Sequence, residues 1–428
     1  MQTNILIIGG GYVGFYTALK LLNNEKIENI DIYDIDQKKI NNWKNRKNVI
    51  NDNYLDNFLN KNPSIFKKLN YINKINYQKY NYFFISLPTN PLISKKKIIF
   101  NKEEKYNLHT DLIFKYSENI KKINPNAEII IRSTINYNDY KKFDKLKLNY
   151  WPEFLSQGKD IEKNLNWNKI IFTKNENLKE ENLKEIFSEK DFRKLHFLPI
   201  KESIIIKIFH NSFDAFSITI SNLLANIAEN KKLNFSNLTP ILNELLAVKP
   251  RVKNPGIGYG GSCYPKDSRS LFNLTNSKYD LKLLNNLDKY NLKRRKIYKN
   301  YLNEIKISKY ILILGISFKG QTNDITDTPT KDLIDYFIRK KYNFKIWEPN
   351  LNNLNLNKIN KKINSNHLSN NIDNDLKECD LIFIGADWEI FNNFLVNKKI
   401  INKKIIDLKS YLPITNYNTH FKIGDTIN

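Results

Sequence analysis

The residues that most restrict this chain's fold are near its start. In NILIIGGGYVGFYTALKLL, residues 4–22, a short apolar run leads into Gly9-x-Gly11-x-x-Gly14 and then into an apolar pattern with helical spacing. Glycine at the first place permits a tight turn, at the second lets backbone approach a pyrophosphate, and at the third lets the helix pack on the strand. An anion then sits on the helix N-terminus, where unpaired N–H groups and the helix dipole favour negative charge. The next apolar run, IENIDIYDID, ends in acids able to accept hydrogen bonds from a ribose diol: Asp34, with Asp36 as the alternative. Strand, turn, helix and strand within one βαβ length predict a parallel sheet, and the acid predicts NAD rather than its phosphorylated form.

Further strands are expected in YNYFFISLP and NAEIIIRST, with HTDLIFKYSENIKKI as the helix between them. From Ser203 to Lys232 there is no Pro or Gly, and apolar residues nearly surround the helical pattern. Such a helix is buried on several sides and suits a spine between domains and a dimer contact. Helical patterning continues to about Tyr301. Strand signals then restart in KYILILGISFKG, NFKIWEP, CDLIFIGA and KKIIDLK, with TPTKDLIDYFIRKKY as a helix among them. The expected fold is α/β: two Rossmann-like doubly wound domains joined by a long central helix and a helical middle region. At 428 residues the chain is long enough for several cores. The expected boundaries are 1–200 for dinucleotide binding, 201–305 for the helical region and 306–428 for the second α/β domain.

Glycine is scarce, 13 residues in all, yet four lie in GIGYGGSCYPKD, residues 256–267, around one of only two cysteines. Two cysteines cannot form a disulfide framework, which points to a reducing compartment and a free thiol. Dense glycine backbone around Cys263 can offer N–H groups to a thiolate or an oxyanion, with Lys266 as a nearby cation and Asp267 as a base or orienting carboxylate. Cys379, in ECDLIFIG, reads instead as a small buried hydrophobe. Lys207 and Asn211 share one helical face at i, i+4, and the flanking IIIKIF makes Lys207 a buried lysine in need of a partner. His210 and Asp214 lie on a neighbouring face, and His210 reads as a packing or hydrogen-bonding residue. The net charge of +25 is dispersed along the chain rather than clustered, which argues against nucleic acid and favours small anionic substrates. No membrane span or leader is expected, since MQTNILIIGG lacks a basic start and a cleavage site.

Taken in order, GGGYVG, YDIDQKKI, ISLPTNP, IRSTI, WPEFLSQGKDIEKNL, KIFHNSF, KPRVKNPGIGYGGSCYPKD, LGISFKGQTNDITDTPT and CDLIFIGADWEIF resemble the UDP-glucose/GDP-mannose dehydrogenase family of nucleotide-sugar 6-dehydrogenases over nearly the whole chain. The resemblance implies a cytoplasmic homodimer that oxidises a primary alcohol of a UDP-sugar to a carboxylate with two NAD, and it needs no metal, membrane or nucleic acid. It implies Cys263 as the nucleophile, Lys207 stabilising the oxyanion with Asn211 beside it, Asp267 and Thr134 holding a water, and Glu153 as acid/base. It places NAD on Gly9, Gly11, Tyr12, Val13, Gly14, Asp34, Lys39, Thr89 and Thr134. The UDP-sugar falls to Glu153, Phe154, Leu155, Lys207, Asn211, Tyr259, Gly260 and Lys319, with Arg251 reaching a partner's site. UDP-glucose, giving UDP-glucuronate, is the expected substrate. The alternatives are UDP-N-acetylmannosamine, UDP-N-acetylglucosamine or GDP-mannose, and a binding protein without turnover. Two departures bear on activity: Ser156 and Gln157 replace an arginine and a carboxylate, and Thr326 replaces an arginine on the cofactor side.

Overall fold

The computed structural model describes residues 3–50, 52–90, 107–158, 161–245, 254–302, 309–351, 354–392, 403–412 and 420–423. The chain divides into two compact units, Met1–His210 with Phe272–Leu274, and Asn211–Leu271 with Thr275–Asn428.

The first unit holds a six-stranded sheet of β1 (Ile5–Ile8), β2 (Ile30–Tyr33), β3 (Leu69–Ile72), β4 (Tyr82–Ile85), β5 (Glu128–Ile131) and β6 (Asn149–Tyr150), in the order β3-β2-β1-β4-β5-β6. Every pairing is parallel. Parallel strands covered on both faces read as unbroken apolar runs, and ILII in β1 and YFFI in β4 are buried along their full length. The strand order reverses between β1 and β4, so the crevice beyond their carboxyl ends is where a ligand is expected. The glycine turn follows β1 there, opening helix α1 (Tyr12–Leu21). A small parallel pair, β7 (Ile170–Phe172) with β8 (Leu195–Phe197), lies in the same unit. The expected strands and helix of this region are present; β3, β6 and the β7–β8 pair were not anticipated, being short and weakly patterned.

The second unit has a five-stranded parallel sheet of β9 (Ile311–Leu314), β10 (Phe344–Trp347), β11 (Leu381–Ile384), β12 (Lys404–Asp407) and β13 (His420–Lys422), ordered β10-β9-β11-β12-β13. The four strands expected from sequence are β9 to β12; β13 is additional. The same unit holds the helices Phe235–Leu245, Tyr264–Ser270, Lys278–Arg294 and Thr330–Lys340. The predicted long helix runs from Ile200 to Asn230 without a break, and the boundary between the units falls within it. Among the described residues no helix is long and apolar enough to cross a membrane.

Candidate active site

The turn after β1 has the features a pyrophosphate cradle needs. Gly9 has φ +108°, and a Cβ on Gly14 would lie 1.8 Å from the Gly9 carbonyl oxygen, so neither position tolerates a side chain. Among the described residues nothing lies within 4 Å of where a Gly11 Cβ would be, leaving backbone open to a ligand. Tyr12, Val13 and Gly14 begin α1, whose first N–H groups have no acceptor inside the helix. Asp34 Oδ2 accepts from Gly10 N at 2.9 Å and Oδ1 from Asp36 N at 2.9 Å, with Lys39 Nζ 3.7 Å from Oδ2. The two acids are thus told apart by geometry. Asp36 is spent capping the next helix through Lys38 N and Lys39 N, whereas Asp34 lies against the glycine turn. Thr89, after β4, and Thr134, after β5, are both buried. Residues of this kind at a sheet's switch point fit NAD, which supplies a hydride acceptor when bound.

Beyond β6 the chain runs through Trp151–Gly158 without regular structure. Arg132 lies buried beneath it, its guanidinium 3.8 Å from the Trp151 ring centre. It donates to Trp151 O, to Pro152 O and, from Nε, to Thr17 Oγ1 of α1 at 2.9 Å. Burial pulls this guanidinium down to about 9, opposed by the charge of Glu153. Glu153 is itself nearly buried. Its Oε1 receives Lys207 Nζ at 2.9 Å and its Oε2 receives Leu155 N at 2.9 Å. Burial works against the charged carboxylate, but Lys207, the Leu155 amide and Arg132 together hold it below the usual carboxylate range. Such a group is ionised at neutral pH and is available to take a proton. The partner that buried Lys207 requires is therefore Glu153. Lys207 also lies 5.4 Å from the centre of the Phe154 ring, and the His210 ring packs edge-on against Phe154 at 5.0 Å.

The second unit holds the thiol. Cys263 is half-buried and caps the helix Tyr264–Ser270, whose Asp267 N donates to Cys263 O at 2.8 Å. Asp267 is fully buried and its Oδ2 accepts from Asn211 Nδ2 at 2.6 Å, while Lys266 Nζ lies 3.8 Å from Oδ1. Tyr264, next to the cysteine, donates its hydroxyl to Asp214 Oδ2 at 3.2 Å, so the cysteine's helix is tied to the long helix twice. The glycine-rich approach is braced on its other side. Gly261 N donates to Thr326 O at 3.0 Å, and a Cβ on Gly260 would meet Asp327 O at 2.2 Å. Tyr259 is buried, its amide bound to Asn291 Oδ1 and its carbonyl to Arg295. Lys319 is half-exposed in the segment after β9. Arg251 lies outside the described residues. Cys379 is buried and its thiol is pushed up to about 11 by that burial, as expected of an inert cysteine.

Glu153 and Lys207 are thus brought together, as are Asn211 and Asp267. Sequence reasoning missed Arg132, the Tyr264–Asp214 bond, and Asn164 and Asp52, which accept from Ser156 N and Gly158 N in the segment after Glu153. Arg132 had a signal, a cation directly after the apolar strand in EIIIRST. Asn164 and Asp52 are small polar residues that nothing in the sequence sets apart, and the Tyr264–Asp214 bond joins positions 50 apart in the chain.

Three sequence profiles of one family match this chain. The UDP-glucose/GDP-mannose dehydrogenase family NAD binding domain matches residues 3–191, its central domain 201–293 and its UDP binding domain 312–413. The chain belongs to this family. Membership fixes the cofactor as NAD and the class of reaction as oxidation of a nucleotide sugar. Within the family, a protein of Rickettsia felis named UDP-glucose 6-dehydrogenase is 28% identical over 405 residues, covering 90% of this chain and 86% of its own. Among solved structures, a UDP-glucose dehydrogenase from Pyrobaculum islandicum has the same fold at TM-score 0.79 and 14% identity, covering 99% of this chain and 98% of its own. A UDP-D-ManNAc dehydrogenase from Pyrococcus horikoshii does so at TM-score 0.77 and 21% identity, covering 99% of both chains. The fold is shared by enzymes named for different sugars.

Proposed function

We propose that this chain oxidises UDP-glucose to UDP-glucuronate with two NAD, through a thioester on Cys263. The observation that carries the reading is that Lys207 and Asn211, one turn apart on the long helix, each hold a carboxylate, Glu153 and Asp267, with Cys263 one turn before Asp267. The sugar is taken from the relatives: that of Rickettsia felis is named for UDP-glucose.

The ionised Glu153 takes the proton of the 6-hydroxyl, directly or through a water held by Thr134 and Asp267, as a hydride leaves the same carbon. The Cys263 thiolate then adds to the aldehyde carbon, and Lys207 stabilises the charge that develops on oxygen. Loss of a second hydride from that carbon gives the thioester. Water, its proton drawn to Glu153, adds to the thioester carbon, and the C–S bond breaks to release the carboxylate and the thiolate. Two hydrides and three protons leave the alcohol and the added water, which balances the oxidation.

In this reading Phe154, Leu155, Tyr259, Gly260, Lys319 and Arg251 contact the UDP-sugar, and residues 1–200, 201–305 and 306–428 divide cofactor binding, dimerisation with the nucleophile, and UDP-sugar binding. A homodimer is supported by apolar side chains that the long helix leaves exposed, among them Phe209, Phe213, Ile220 and Ile227. Two cysteines outside any disulfide suit a cytoplasmic enzyme.

The test is Cys263→Ser, incubated with UDP-glucose and NAD, with products followed by mass spectrometry. Net formation of acid is expected to fall by roughly 1,000-fold or more, since an alkoxide replaces the thiolate poorly. Acid output at the wild-type rate would remove Cys263 from the mechanism.

A further inference from the structure

The segment carrying Glu153 has no strand or helix to satisfy its amides, and side chains take them instead. Leu155 N is held by Glu153 itself, Ser156 N by Asn164 Oδ1 at 3.0 Å, and Gly158 N by Asp52 Oδ2 at 2.9 Å. Asn164 does more than accept one bond. Its Nδ2 returns to Ser156 O at 2.9 Å, closing a two-bond clasp on that residue's backbone, and also reaches Tyr12 Oη at 3.2 Å. The side chain is only 4% exposed, so these bonds form in a setting where an unmet amide is costly. Tyr12 is the first residue of α1, directly after Gly11 of the pyrophosphate turn. A second link runs from the same helix. Arg132 binds Thr17 Oγ1 as well as the carbonyls of Trp151 and Pro152, and Thr17 Oγ1 donates to Val13 O at 2.7 Å.

We propose that Asn164 is a positioning residue that couples occupation of the glycine turn by NAD to the ordering of the segment bearing Glu153. The proposal rests on the reading of Glu153 as the proton acceptor. Filling the turn restrains Tyr12, and through Asn164 restrains Ser156, three residues from the carboxylate that must meet the 6-hydroxyl. By linkage the effect is reciprocal: an ordered segment strengthens NAD binding by the same factor. A merely structural Asn164 would stabilise the segment equally with and without cofactor.

The experiment is hydrogen exchange of the full-length protein with and without NAD, followed at the Ser156 and Gly158 amides in wild type, Tyr12→Phe and Asn164→Leu. In wild type, NAD is expected to slow exchange at the Ser156 amide by about tenfold or more, with the Gly158 amide, held by Asp52, as the reference. Tyr12→Phe keeps the clasp on Ser156, so protection without cofactor is retained and the NAD-dependent gain is lost. Asn164→Leu loses both. An equal NAD-dependent gain in Tyr12→Phe, or no gain in wild type, would overturn the proposal, and the Tyr12→Phe arm decides it even where Asn164→Leu fails to fold. Turnover with UDP-glucose is scored separately. NADH formation at the wild-type rate in Glu153→Gln rejects the role of Glu153, whereas exchange with NAD alone judges the coupling.

Discussion

Each of the two large parallel sheets places an acid just after the strand beside its first one, Asp34 after β2 and Glu348 after β10. In each, the carboxylate accepts an N–H from the turn that follows the first strand: Gly10 N at 2.9 Å in one unit, Ile316 N at 2.6 Å in the other. A tryptophan N–H reaches each turn as well, Trp43 to Gly10 O at 3.1 Å and Trp388 to Ser317 Oγ at 3.2 Å. Beyond this the two sites differ. Asp34 also pairs with the half-exposed Lys39, whose Nζ lies 3.7 Å from Oδ2. Glu348 is closed off. Its Oε1 has no hydrogen-bond partner among the described residues, and burial pushes the carboxyl up to about 7 against the pull of the Ile316 and Ser317 amides and Trp388. Shared topology therefore fixes where an acid sits and not what it does. The shorter acid is the one proposed to meet the cofactor's ribose, and the longer one only braces a turn.

The largest expected effect that would sharpen this contrast is in Glu348→Gln. A carboxyl with a raised value keeps its proton where the unfolded chain has lost it, so wild-type stability falls as pH rises from about 4.5 to about 7 and remains lower above. Denaturant melts at pH 5 and pH 8 should show the variant gaining on wild type by on the order of 3 kcal/mol between them. Parallel pH profiles would mean that burial does not raise the Glu348 carboxyl. A smaller change is expected from Asp34→Ala, about tenfold to thirtyfold in KM for NAD, the loss of a charged hydrogen-bond acceptor, with KM for the sugar nucleotide within about twofold. If both constants rise together, the division of labour between the acids is wrong. Smallest is Lys39→Ala. The ion pair is long and partly exposed, so KM for NAD should move by less than about threefold, and less still at high salt.

The cofactor turn was legible because its constraint is local: three glycines, a strand before and an acid after lie close together in the chain. The long helix and the strands β9 to β12 were legible from periodicity and apolar runs. Lys207 was legible as a buried cation, but its partner was not, since Glu153 is 54 positions away and pairing across that distance is set by tertiary packing. Asn164 and Asp52 stayed hidden for the opposite reason. An asparagine in the short helix Ile161–Leu165, or an aspartate capping the helix Asn53–Lys61, looks like many others in the chain, and only the bonds to Ser156 and Gly158 distinguish them. The sequence favours Asp34 over Asp36 by its place at the strand end, and the fold adds the physical reason, since Asp36 caps the next helix.

The central claim is a four-electron oxidation by a thiol enzyme of this family, and it is tested most directly by counting. Purified protein, limiting UDP-glucose and excess NAD should yield two NADH for each UDP-glucose consumed, with UDP-glucuronate as the sole sugar product. One NADH per sugar with free aldehyde released, or no NADH from UDP-glucose at all, would contradict it.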